Sequence, residues 1–166
     1  MKNKKIVDVI FPIKYYTALT YIMPVLDLKS YIIGGSTAIW LRTNDNNIIP
    51  NDIDIIVPNL DDIDMHKIFT EYDYEIEKQT HAKRLNKTMK CHIYVPNTTF
   101  YTNNLADDEY IDIVIDFIEN PNADFSDKYT FTVETIENVK KYRQQLYEFY
   151  KSQYNEEVTK WKKDSN

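Results

Sequence analysis

Apolar residues recur three and four positions apart at Ile13, Tyr16, Leu19, Ile22, Met23 and Leu26, and this spacing predicts a helix over 13–28. Pro24 should end or kink it, because proline has no amide to donate and its ring crowds the preceding turn. Tyr31-Ile32-Ile33 then reads as a short buried strand, followed by Gly34-Gly35-Ser36 and an amphipathic run from Thr37 to Arg42 that Ser36 can cap. After a polar loop from Thr43 to Asn47, the alternation of Asp52 to Val57 predicts a strand that Pro58 stops. Asn59 or Asp61 should cap a helix containing Ile63, Ile68 and Phe69, and Tyr74 to Lys78 reads as a further strand.

A basic stretch with His81, Lys83, Arg84, Lys87 and Lys90 precedes a strand from Cys91 to Val95. Asn103 to Glu109 is an acidic loop, and Tyr110 to Ile118 carries the strongest strand alternation in the chain. Glu134 to Trp161 closes the pattern as one long helix, striped by Ile136, Val139, Tyr142, Leu146, Phe149, Tyr150, Tyr154, Val158 and Trp161. Strands and helices alternate early and the chain ends in helix, so the expected class is α+β with a mixed sheet flanked by helices. The expected division is a body over 1–132 and a C-terminal helix over 133–166, packed on that body and fraying at its end.

Composition narrows the partners. The net charge of −6 lacks the basic excess with which proteins grip long nucleic acids, and this disfavours a processive polymerase. One cysteine, Cys91, excludes an internal disulfide and suits a reducing compartment. No apolar run approaches the roughly 18 residues needed to span a bilayer. Lys2, Lys4 and Lys5 start like a signal peptide, but Asp8, Lys14 and the lack of a small-residue cleavage site oppose one. The expectation is a cytoplasmic protein without a membrane partner.

The two glycines of the chain are adjacent, between a strand and a helix start, where a missing side chain lets backbone amides approach an anion. Alternation along a strand projects Asp52 and Asp54 from one face while Ile53, Ile55 and Val57 face the core. Carboxylates this close repel unless a cation lies between them, and a hard, oxygen-ligated ion such as Mg²⁺ suits them. Two-metal phosphoryl transfer wants a further carboxylate. The later strand offers Asp112, with Asp116 on the same face.

This ordered set resembles the nucleotidyltransferase superfamily typified by DNA polymerase β, whose motif is hG[GS], then hDh[DE]h, then a third h[DE]h. Seventeen positions separate Gly35 from Asp52, and the resemblance covers about residues 30 to 118. It implies that Gly34, Gly35 and Ser36 hold a nucleoside triphosphate such as ATP. It implies that Asp52 and Asp54 bind two Mg²⁺ or Mn²⁺ ions. Asp112, flanked by Ile111 and Ile113, is the preferred third carboxylate and Asp116 the alternative. The implied reaction moves a nucleoside monophosphate to an acceptor hydroxyl with release of pyrophosphate. A protein, a tRNA or a small molecule could be that acceptor. The length is similar to the small stand-alone members, including antibiotic nucleotidyltransferases and the transferase partners of toxin–antitoxin modules.

Each piece also has a plain structural account. A glycine pair alone is usually a tight turn, and alternating acids are usually the solvated face of an edge strand. Asp61, Asp62 and Asp64 fit a helix start, where acids favour the macrodipole. Arg42 divides evenly between a phosphate contact and surface, and Cys91 reads as a core thiol. His66, His81 and His92 lack zinc-ligand spacing. The C-terminal stripe reads first as core packing and second as a surface for a homodimer or a partner protein. A catalytically inactive binding module, antitoxin-like in role, is the alternative to an enzyme.

Overall fold

The computed structural model describes residues 4–45, 47–77, 86–97, 108–125 and 132–164, with backbone alone at 132 and 161–164. His81, Lys83 and Arg84 of the basic stretch, and most of the acidic loop before Glu109, lie outside the described residues.

The chain runs β1 (Lys5–Ile6), α1 (Phe11–Thr17), a π-helical turn (Ala18–Ile22), α2 (Met23–Leu26), β2 (Ile32–Gly34), α3 (Gly35–Thr43) and β3 (Ile53–Val57). A 3₁₀ turn (Leu60–Asp62) follows, then α4 (Met65–Glu71), β4 (Asp73–Glu77), β5 (Thr88–Pro96), β6 (Glu109–Glu119), β7 (Thr132–Val133) and α5 (Ile136–Asp164). The class is α+β, and the described residues form a seven-stranded mixed sheet in which six strands are ordered β4-β5-β6-β3-β2-β7 and β1 pairs with β6 off this path. Strand β6 is its spine: β5 lies antiparallel on one edge, while β3 and the short β1 lie parallel on the other. No helix among the described residues is long and apolar enough to cross a membrane.

Strict alternation sorts the spine. Ile111, Ile113, Ile115 and Phe117 face the main core together with Ile53, Ile55 and Val57 of β3 and Cys91, Ile93 and Val95 of β5. Helices α1, α2 and α4 cover that face with Phe11, Tyr15, Met23, Leu26 and Ile68. Each fully buried large apolar side chain contributes about 1.5–3 kcal/mol, so this layer carries most of the stability. On the opposite face, Ile32, Ile56 and Ile118 form a small patch near Ala123 and Phe125. The same face carries Asp54, Asp112 and Asp116 together with Lys90 and His92.

Pro24 neither stops the first helix nor leaves it regular. The Met23 amide bonds the Ala18 carbonyl five residues back, and the helix continues to Leu26 before Asp27 turns left-handed. The wider turn relieves the clash that proline would make in a regular α-helix. The helix expected around Ile63 divides in two: Asn59 caps the 3₁₀ turn, and Asp64 caps α4 by accepting from the His66 amide. Strand β5 starts earlier than expected, at Thr88, so Lys90 leaves the basic stretch and becomes a strand residue, while Lys87 stays just before it. Neither β1 nor β7 was legible as a strand, each being two residues long and paired only through distant partners.

The C-terminal stripe is core only at its start. Val139 packs on Ala38 and Ile39 of α3, whereas Tyr147, Phe149, Tyr150 and Tyr154 are exposed. Strand β7 straddles the expected boundary at 132/133, which places Val133 with the sheet, and the Glu134 amide donates to the Ile33 carbonyl at 2.8 Å before α5 begins at Ile136.

Candidate active site

Strand pairing lines up one residue from each of five strands on the polar face. Gly34 of β2 pairs with Asp54 of β3, Asp54 with Asp116 of β6, Asp116 with Lys90 of β5, and Lys90 with Glu77 of β4. Neighbouring strands lie about 4.8 Å apart, so the row is contiguous. Asp54 is 8% exposed and Asp116 is wholly buried. Asp52, just before β3, adds a third carboxylate, and its Oδ2 lies 3.0 Å from Lys90 Nζ.

The glycine bend is shaped around Asp54. Gly35 has φ +62°, and a Cβ placed there would stand 2.1 Å from Asp54 Oδ2. Gly34 has extended backbone, so Gly35 alone carries the conformational requirement. The Gly35 amide donates to Glu134 Oε1 at 3.2 Å, and Thr37 Oγ1 donates to the Asp52 carbonyl at 3.2 Å, which fastens α3 to the start of β3.

Ser36 is not the helix cap, because Gly34 occupies that position and Ser36 lies within the first turn. Its Oγ accepts from the Arg143 guanidinium at 2.7 Å. Gly35, Ser36 and Asp54 form one wall of a cavity of about 200 Å³, and Val139, Tyr142, Arg143 and Leu146 of α5 form the other.

Of the expected site residues, Gly34, Gly35, Ser36, Asp52 and Asp54 come together, and Asp116 joins them. Arg42 does not. It lies about 10 Å along α3 from the bend at 1.5 Å per residue. Its guanidinium donates to the Val133 and Glu134 carbonyls and clips β7 to α3.

Asp112 also lies elsewhere, four residues before Asp116 and about 13 Å along β6. It accepts from His92 Nδ1 at 3.0 Å, while His92 Nε2 meets Glu77 Oε2 at 3.2 Å. Burial opposes the imidazolium, but hydrogen bonds to Asp112 and then Glu77 outweigh it, so the His92 pKa is raised. The two carboxylates occupy opposite ring nitrogens, an arrangement that cannot close on one ion. Tyr94 donates to Glu75 Oε2, and burial, with the charges of Asp112 and Glu75, lifts its pKa to about 12. Cys91 is a core thiol pushed to about 12, first by burial and then by Asp116.

Asp52, Asp54 and Asp116 offer oxygen donors alone, the ligand chemistry of Mg²⁺ and Mn²⁺. When ionised they carry three negative charges against one on Lys90, leaving a deficit that one divalent cation would match. As the side chains stand, no three acidic, histidine or cysteine groups among the described residues have metal-ligand geometry. Lys90 draws Asp52 to itself.

Arg143 and Glu134 escaped the sequence reading. Arg143 follows Val139 by four residues and shares its helix face, which could have drawn attention to it. Alternation of Met89, Cys91, Ile93 and Val95 toward the core puts Lys90 on the carboxylate face. Comparison with protein-family models, with characterised proteins and with solved structures finds no match to this chain.

Proposed function

We propose that this chain is a divalent-metal-dependent nucleotidyltransferase. In this reading an acceptor hydroxyl attacks the α-phosphorus of a nucleoside triphosphate in line, its oxygen–phosphorus bond forms as the bond to the leaving oxygen breaks, and pyrophosphate departs. The observation that carries the reading is the fit of Asp54 into the space left by the Gly35 side chain, with Asp116 registered beside it. The order of motifs that resembles the nucleotidyltransferase superfamily supports it independently.

Asp52, Asp54 and Asp116 would hold Mg²⁺ or Mn²⁺, whose chemistry is to neutralise phosphate charge and lower the pKa of a bound hydroxyl. Asp116 replaces Asp112 as the third carboxylate in this assignment. Ser36 and Arg143, which line the cavity, would bind phosphate oxygens, the guanidinium offering paired donors. Most of the rate enhancement would come from orientation and fixed charge.

Calorimetric titration with ATP, CTP, GTP and UTP in the presence of Mg²⁺ tests the reading. At least one should bind, and Asp54→Asn should abolish that binding. Failure of all four with folded protein would refute it. A binding module without turnover is the second reading, and the neutralisation of Asp52 by Lys90 favours it. Metal-dependent pyrophosphate release during incubation with candidate acceptors decides between the two.

A further inference from the structure

We propose that Lys90 is the resident counter-cation of the carboxylate row, and that a divalent metal must displace its ammonium from Asp52 to bind. The inference rests on the nucleotidyltransferase reading and assigns a regulator of metal affinity within the same site.

Three observations converge. Lys90 pairs across the ladder with Asp116, itself paired with Asp54, so its strand position is fixed beside the two buried acids. Its Nζ reaches sideways to Asp52 Oδ2 at 3.0 Å, and both side chains are only 20% exposed, so solvent screens the pair weakly. The neighbours Met89 and Cys91 take the core face, so apolar packing does not require a cation at position 90.

Lysine suits an exchangeable role. Its ammonium is a compact charge on a flexible stem and can leave one carboxylate for another anion without backbone movement, whereas an arginine fork would fix the geometry. A doubly charged ion and this ammonium compete for the same carboxylate charge. Once displaced, the ammonium faces a site whose other ligand is a polyphosphate, so nucleotide should favour the metal-bound arrangement.

Mn²⁺ binding measured by electron paramagnetic resonance on the full chain, without nucleotide, tests the proposal. Lys90→Met should bind Mn²⁺ on the order of tenfold more tightly than wild type, from removal of one nearby positive charge. Lys90→Arg, which keeps the charge and would hold Asp52 in a fixed fork, should bind Mn²⁺ no more tightly than wild type. Lys90→Gln is a second neutral variant and should move in the same direction as Lys90→Met. Equal Mn²⁺ affinity in wild type and a folded neutral variant, even with a lowered Tm, makes Lys90 a structural residue and overturns the inference. The nucleotidyltransferase reading would then still stand on ATP–Mn²⁺ binding that Asp54→Asn abolishes. If neither wild type nor the variants bind Mn²⁺, with or without ATP, both fall.

Discussion

A carbon atom added at Gly35 meets two obstacles, and they add. The left-handed backbone there costs an L-residue roughly 1–2 kcal/mol, and the Asp54 carboxylate already fills the space. Gly35→Ala should therefore cost more than about 2 kcal/mol in urea unfolding, while Gly34→Ala, on extended backbone, should cost clearly less. The same scale decides between Asp112 and Asp116. Both fit the strand alternation and both have apolar neighbours, so local sequence cannot choose between them. Register puts Asp116, and not Asp112, beside Asp54, and register depends on how β6 meets β3, a pairing between segments some sixty residues apart. Asp116→Asn should abolish metal-dependent turnover, and Asp112→Asn should leave most of it. For Asp112 the expected change is in pH dependence. A raised His92 pKa contributes stability that is fully present below the unfolded histidine value of 6.5 and is lost as pH rises through the folded value. The urea midpoint of wild type should fall over that window, and Asp112→Asn should flatten the fall. An NMR titration of His92 that shows no upward shift would remove this account.

Among the elements, those with strong internal patterns were readable and those defined by their partners were not. Strands β3 and β6 announced themselves through alternating isoleucine, and α5 through its helical stripe. Strands β1 and β7 are two residues each, and nothing local distinguishes Thr132-Val133 from loop until β2 pairs with it. The stripe on α5 misled for a related reason: periodicity shows which residues share a face, not how far a neighbour extends along it. Only the first turns of α5 lie against α3, and the rest of the stripe outruns that contact. Val139→Asp, at a site 1% exposed, should cost several kcal/mol through burial of an unpaired charge, whereas Tyr154→Asp, at 66% exposure, should lie within about 0.5 kcal/mol of wild type. Thermal melts of the two variants check this. Arg143→Ala belongs with them. Its guanidinium is exposed and bonds Ser36, so Tm should hardly change, while ATP affinity should fall about tenfold if α5 supplies a phosphate contact.

For the whole molecule, charge bears on the kind of acceptor that the proposed transfer would use. The polar face of the sheet concentrates acids, Asp52, Asp54, Asp112 and Asp116 together with Glu75 and Glu77, against Lys90 as its partner cation on the strand row. The chain as a whole carries −6. A nucleic acid track across this face would have to neutralise phosphates with side chains of the wrong sign, and phosphate neutralisation is where non-specific affinity originates. An acceptor should therefore present one hydroxyl to the carboxylate row and little polyanionic surface beyond it. Fluorescence anisotropy with a labelled 20-base-pair duplex, at low and at physiological salt, makes this testable. No saturation is expected at protein concentrations of about 10 μM, because non-specific binders reach Kd values of roughly 10⁻⁴ to 10⁻⁶ M through a basic surface. Micromolar binding that weakens steeply with salt would contradict the charge argument and would make a long polynucleotide the acceptor to test first. Absence of binding would direct the search to small molecules, proteins and the isolated end of an RNA.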